Sequence, residues 1–171
     1  DLRPSYLIFS DGFRLNRISL IEKRAIDIVV STVGLLLASI PLALCAIAIR
    51  LDTPGSAFFS QQRVGKGGKL FWIRKLRSMR NGAEEDCGPV WSRSDDERVT
   101  RVGKFLRKTR MDEVPQLWNV LKGEMSLVGP RPERPEFVDS LSVRYPYFAL
   151  RASLKPGITG WAQIQRGYVN E

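Results

Sequence analysis

Residues 28–49 form a stretch of roughly 22 residues without a single charged side chain, and nothing else in the chain limits its fold so strongly. A run of that length can cross a hydrocarbon layer of ~30 Å. Two features argue against a simple crossing. Pro41 lies inside the run, has no N–H to donate, and favours a break or kink. The flanks are basic on both sides, with Arg14, Arg17, Lys23 and Arg24 before the run and Arg50, Arg63, Lys66 and Lys69 after it. Cations stay on the cytoplasmic side, so a chain basic at both ends keeps both ends on one face. Legs over 28–40 and 42–49 would reach ~20 Å and ~12 Å at 1.5 Å per residue. A re-entrant helix–break–helix dipping into one leaflet fits both facts; a span with a proline kink and a buried core helix are the alternatives.

With 171 residues, 43% of them hydrophobic, the chain can bury one proper core, so one soluble domain plus an appendage is expected. The net charge of +9 points to a polyanionic partner: nucleic acid, anionic lipid or a phosphorylated substrate. Histidine is absent, which removes Ser-His and Cys-His nucleophile systems and most zinc sites. Cys45 lies in the apolar run and Cys87 in a polar loop, so no disulfide is expected and a reducing compartment fits. No small-x-small site follows the run, so no cleaved signal peptide is read.

The chemistry concentrates in residues 109–123. Asp112 and Glu113 are adjacent, and upstream stand Arg98, Arg101, Lys104, Arg107, Lys108 and Arg110 with no acid among them. A carboxylate pair in a cationic patch suits phosphate better than a proton or a sugar alone. Residues 99–109 read as a short basic helix with Val102, Phe105 and Leu106 at helical spacing. A second helix is expected from near Asp112, with Pro115 in its first turn, Leu117, Val120 and Leu121 as its stripe and Gly123 as its C-cap. At such a helix start Asp112 has two compatible readings. It is a plain N-cap, contributing ~1 kcal/mol, or an acid whose pKa the helix end lowers beside a bound anion.

Elsewhere, residues 57–64 and 69–77 read as strands of a β-hairpin around Gly65-Lys66-Gly67-Gly68. Seven cations and no acid lie between Asp52 and Glu84, which makes a solvated ribbon or a face for lipid headgroups or phosphate. Residues 81–97 are a polar loop and candidate mobile lid, whose acids lack metal-ligand spacing and read as solvated. Residues 126–132 and 155–161 are loops stiffened by Pro and Gly. Arg131 between two prolines has little backbone freedom, as suits a guanidinium held against an oxyanion. No repeat, P-loop or dinucleotide fingerprint is present. The expected architecture is α+β: a linker or interfacial segment 1–24, a membrane helix 25–50 kinked at Pro41, and a cytoplasmic domain 51–171 of short helices and a β-hairpin.

Several ordered blocks resemble the bacterial sugar transferase family, the monotopic polyprenyl-phosphate phosphoglycosyl transferases. They are Lys23-Arg24-Ala25-Ile26-Asp27, Gln62-Arg63-Val64-Gly65, Lys75-Leu76-Arg77-Ser78-Met79, residues 107–123, Ser126-Leu127-Val128-Gly129-Pro130-Arg131-Pro132, and Lys155-Pro156-Gly157-Ile158-Thr159-Gly160. The resemblance covers the chain from about Lys23 onward and implies transfer of sugar-1-phosphate from a UDP-sugar to polyprenyl phosphate, with release of UMP, at the cytoplasmic face of the bacterial inner membrane. It implies Asp112 as nucleophile, forming a covalent phosphosugar intermediate, and Glu113 as its partner, the two associated with Mg2+. Arg107 and Arg131 match phosphate-binding arginines, with Lys75, Arg77 and Arg63 as further substrate-binding cations. Many members have Ser directly before the kink proline; here Ile40 stands there and Ser39 one position earlier, so Ser39 and Pro41 are the expected kink residues. The family continues beyond Gly160-Trp161-Ala162-Gln163 with a further membrane-associated helical region, and with the sequence stopping at Glu171 that region is expected to have been cut off or to be missing. Tyr6 to Phe13 resembles the segment preceding the catalytic domain in larger members, so an upstream membrane region is expected to have been removed.

The competing reading is a membrane-attached basic module that binds anionic lipid or nucleic acid without chemistry. Against nucleic acid, no regular aromatic interleaving or reader fold is present. The sugar, the uridine contacts and the oligomeric state, a homodimer among its forms, stay open.

Overall fold

The computed structural model describes residues 17–83, 90, 96–145 and 147–166. The opening segment 1–16, Cys87 and most of the acidic loop 81–97 lie outside the described residues, so the lid reading and the linker reading of 1–16 are left there.

Helix α1 runs over Arg17–Asp52, about 54 Å at 1.5 Å per residue. It is one element where two legs were expected. Helical structure begins at Arg17, inside the expected linker, and continues through Pro41 without a break. Proline removes one backbone donor, but the bonds of the flanking turns survive and carry the helix across. One turn earlier, the Ser39 hydroxyl donates to the Leu36 carbonyl at 2.7 Å. The helix meets the rest of the protein along a stripe spaced three and four residues apart: Lys23, Arg24, Asp27, Ser31, Gly34, Leu35, Ala38, Leu42, Cys45, Ala46 and Ile49. Its other sides stay open, with Leu36, Leu37, Ile40 and Leu44 all at least 63% exposed. A buried core helix is therefore excluded. By length and composition α1 can cross a membrane, and its bare apolar flank is compatible with membrane association.

Strand β1, Phe58–Val64, pairs antiparallel with β2, Leu70–Leu76, as the hairpin expected around Gly65-Lys66-Gly67-Gly68. The turn between them holds Gly67 and Gly68 at φ +68° and +78°, a region open to glycine. Helix α2, Arg101–Thr109, is capped by Thr100, whose hydroxyl accepts from the Gly103 amide at 2.9 Å. A tight 3-10 turn, Met111–Glu113, leads into α3, Gln116–Lys122, which ends at Gly123 with φ +82° as foreseen. Strands β3, Ser126–Val128, and β4, Gly157–Thr159, form a short parallel pair inside the two Pro/Gly segments that the sequence offered only as loops. Helix α4, Pro135–Arg144, a 3-10 stretch, Phe148–Ser153, and α5, Trp161–Arg166, complete the described elements.

Two apolar clusters hold this α+β fold. Ile49, Ala57, Leu76 and Leu106 join α1, the hairpin and α2, with Met111 against them. Phe71, Ile73, Val120 and Met125 join the hairpin to α3. Asn119 stitches the second seam: its side-chain amide donates to the Trp72 carbonyl at 2.8 Å while its oxygen accepts from the Arg74 amide at 3.1 Å. The turn carrying the two acids is thereby gripped between α2, α3 and β2.

Candidate active site

Neither acid caps a helix. The α-helix after them starts only at Gln116, and no side-chain cap bond forms at either boundary. Asp112 and Glu113 instead lie in the 3-10 turn, each only 7% exposed. Their surroundings pull them apart. Burial drives the Asp112 carboxyl above the usual carboxylate range; Lys75 and Arg107 oppose that and Glu113 adds to it. The expectation that a helix end lowers this pKa is thus overturned, because loss of water outweighs the lowering by Lys75, Arg107 and the backbone hydrogen bond. Asp112 Oδ1 is buried with no hydrogen-bond partner. Glu113 is also desolvated, yet Lys75 and Arg131 more than offset that and hold it below its usual value.

Lys75 reaches this turn because β2 alternates. Phe71 and Ile73 face inward, and Lys75 falls on the same side two residues on. Its Nζ lies 2.9 Å from Glu113 Oε1, and burial lowers its pKa despite that partner. Arg131 Nη2 stands 3.6 Å from the same Glu113 oxygen. Its loop is braced from behind, where Arg151 donates to the Arg131 carbonyl at 2.7 Å and Arg63 to the Pro132 carbonyl at 3.2 Å. Arg107 is oriented by Ser78, Nε to Oγ at 3.0 Å. Burial lowers its pKa too, with Asp112 opposing.

Five of the expected residues therefore converge: Asp112, Glu113, Lys75, Arg107 and Arg131. Arg63 borders the same cavity but serves as a brace for the Pro-Arg-Pro loop. Arg77 also borders the cavity, while its guanidinium is engaged at the end of α1. Its guanidinium is buried at the C-terminal end of α1, donating to the Thr53 and Pro54 carbonyls at 2.7 and 2.6 Å and to Asn81 Oδ1 at 2.6 Å. A cation there answers the unpaired carbonyls and the negative end of the helix. Ser39 and Pro41 lie on α1, away from these groups.

The carboxylates open into a cavity of about 1830 Å3, bordered by Arg98, Arg110, Arg134, Tyr147, Phe148 and Trp161 among others. A space this large takes more than one small ligand group. Sequence reasoning missed Ser78 as the holder of Arg107, Arg151 as the loop brace and Asn119 as the seam. It also missed Asp27, buried beside β3, where its carboxylate accepts from the Leu127 amide at 3.0 Å. A polar residue inside an apolar pattern is the one signal that could have flagged Asn119; the others depend on contacts distant in sequence. Among the described residues no group of three or more His, Cys, Asp or Glu could hold a metal. Two carboxylates nonetheless suffice for Mg2+, which completes its octahedron with water and substrate phosphates. The unpartnered Asp112 Oδ1 and the adjacent Glu113 fit that donor set.

The structure thus combines a buried carboxylate pair among cations with a long helix that has a bare apolar flank. Comparison with known proteins gives the class its name. The profile of the bacterial sugar transferase family matches residues 18–171, and the chain belongs to that family. It is similar to the UDP-N-acetylgalactosamine-undecaprenyl-phosphate N-acetylgalactosaminephosphotransferase of Aeromonas hydrophila, with 47% identity over 85% of this chain and 34% of the relative. It also resembles the UDP-glucose:undecaprenyl-phosphate glucose-1-phosphate transferases of Caulobacter vibrioides, 45% identical over 96% of this chain and 62% of the relative, and of Escherichia coli, 45% identical over 88% and 32%. The chain thus spans about a third of the length of two of these relatives and under two thirds of the other.

Proposed function

We propose that this protein transfers sugar-1-phosphate from a UDP-sugar to a polyprenyl phosphate in two displacements. An Asp112 carboxylate oxygen attacks the sugar-linked phosphorus, the bond to the bridging oxygen breaks, and UMP leaves. A phosphate oxygen of the lipid then attacks that phosphorus, the aspartyl bond breaks, and a polyprenyl diphosphosugar forms with Asp112 restored. The observation that carries this reading is the contrast within the dyad. Asp112 is desolvated, with Oδ1 unpartnered, whereas Glu113 is held ionised by Lys75 and Arg131. A carboxylate without a hydration shell is a stronger nucleophile, and an anion attacks a diphosphate only where cations offset the charge. Arg107 and Arg131 would take the phosphate oxygens. Mg2+, held by Glu113 and Asp112, would supply further charge neutralisation when bound. Membership of the transferase family favours this reading over a basic module without chemistry.

The proposed setting is the cytoplasmic face of the inner membrane, with α1 as an anchor that meets the bilayer from one side. What supports one-sidedness is packing at both ends of the helix. Near its start, Arg24 donates to the Val120 and Leu121 carbonyls at 2.6 and 2.7 Å; near its end, Ile49 enters the core with Leu76 and Leu106. A helix crossing a ~30 Å hydrocarbon layer would leave one of those contacts on the far side.

The test is direct. Full-length chain in detergent micelles, given Mg2+, undecaprenyl phosphate and either UDP-glucose or UDP-N-acetylgalactosamine, should release UMP, and Asp112→Asn should abolish the release while membrane association persists. Equal release from the variant removes Asp112 from the nucleophile role.

A further inference from the structure

Among the described non-glycine residues, Arg110 is the single one with a left-handed backbone, φ +59° and ψ +14°. It closes α2 and opens the turn that carries Asp112. Helices that end in this conformation ordinarily place glycine there, because a Cβ crowds the neighbouring carbonyl. The same chain follows that rule one helix later, at Gly123. The backbone bonds around Arg110 do not need its side chain: its amide donates to the Arg107 carbonyl at 3.3 Å, and its carbonyl accepts from the Glu113 amide at 3.1 Å. Glycine would make both. A bulky residue held in an unfavoured conformation beside a reactive turn points to work done by the side chain.

That side chain is exposed and borders the cavity that Arg107, Asp112, Glu113 and Arg131 also line. Its charge acts inward, as one of the cations that hold Glu113 ionised. Of the cations that border this cavity, Arg110 is more exposed than Lys75 or Arg107, which places it on the solvent side. We propose that Arg110 is an additional phosphate-binding residue of this site, retained against its backbone cost to hold an oxyanion at the cavity's outer edge. The inference rests on the two-displacement reading above. Its ligand is a phosphate oxygen, carried either by the soluble donor or by the lipid acceptor.

Arg110→Gly, Arg110→Asn and Arg110→Lys in the full chain decide the matter, since glycine and asparagine both accept the left-handed region. Two half-reactions are followed separately: the mass adduct on Asp112 formed from UDP-glucose or UDP-N-acetylgalactosamine alone, and transfer from that adduct to undecaprenyl phosphate. Arg110→Gly should leave the thermal midpoint unchanged or higher, yet slow at least one half-reaction ~10-fold through a raised KM, with partial recovery in Arg110→Lys. Slowing confined to adduct formation assigns the donor phosphate; slowing confined to transfer assigns the lipid phosphate. Unaltered rates in both halves would make Arg110 a tolerated helix cap and overturn the proposal, as would a lowered midpoint in Arg110→Gly. A wild-type chain that forms no adduct refutes the two-displacement reading and this inference with it, whereas a wild-type adduct with unchanged variant rates refutes this inference alone.

Discussion

Asp112 and Glu113 are one bond apart in the chain and opposite in electrostatic behaviour. Asp112 has a folded pKa above its unfolded value, so its ionisation opposes folding. That cost is absent below ~3.9, where the carboxyl is protonated folded or unfolded, and it is full above the raised pKa. Asp112→Asn should therefore raise the thermal midpoint at pH 7 by about 2–4 °C, and the gain should vanish as the pH approaches 4. Glu113 runs the other way. Its lowered pKa contributes stability that is full above ~4.3 and is lost as pH falls through the folded value. Glu113→Gln should cost about 3 kcal/mol at pH 7, because Lys75 then stays buried without its carboxylate. Thermal unfolding across pH checks both signs; destabilisation by Asp112→Asn would refute the burial argument. The sequence made the pair legible as a charged motif, and Arg107, Arg131 and Lys75 legible as cations near it. It could not say which acid would be desolvated, because that depends on β2 and the Pro-Arg-Pro loop, both distant along the chain.

The elements around the pair were legible where a period or a capping residue marked them. The hairpin, the α2 helix and the glycine after α3 all appear where read, although Phe105 of the expected α2 stripe is 59% exposed. The β3–β4 pair was hidden because three-residue strands carry no period, and the first turns of α1 because Lys23, Arg24 and Asp27 look like a solvated flank. Those residues are in fact contacts: Lys23 donates to Ser126, and Asp27 accepts from β3. Gly103 shows how tightly α2 is set. A Cβ there would lie 2.0 Å from the Ser78 carbonyl oxygen, and the hydroxyl of Ser78 orients Arg107. Gly103→Ala should lose about 1–3 kcal/mol of stability and reduce UMP release along with it. A stable Gly103→Ala variant with full activity would mean that α2 can shift without disturbing Arg107.

At the scale of the whole molecule the question is where α1 sits. With contacts to the rest of the protein near both of its ends, tags at residue 20 and residue 55 should both be inaccessible to reagents outside intact cells. An externally labelled tag at either position would make α1 a spanning helix.

The stripe from Lys23 to Ile49 has one more consequence. A tether joined to its cargo along nearly its whole length has no slack. If α1 lies in a bilayer as proposed, any tilt of it is a tilt of the carboxylates as well, and the height of the proposed chemistry above the lipid plane would be a built-in dimension to which both reactants travel.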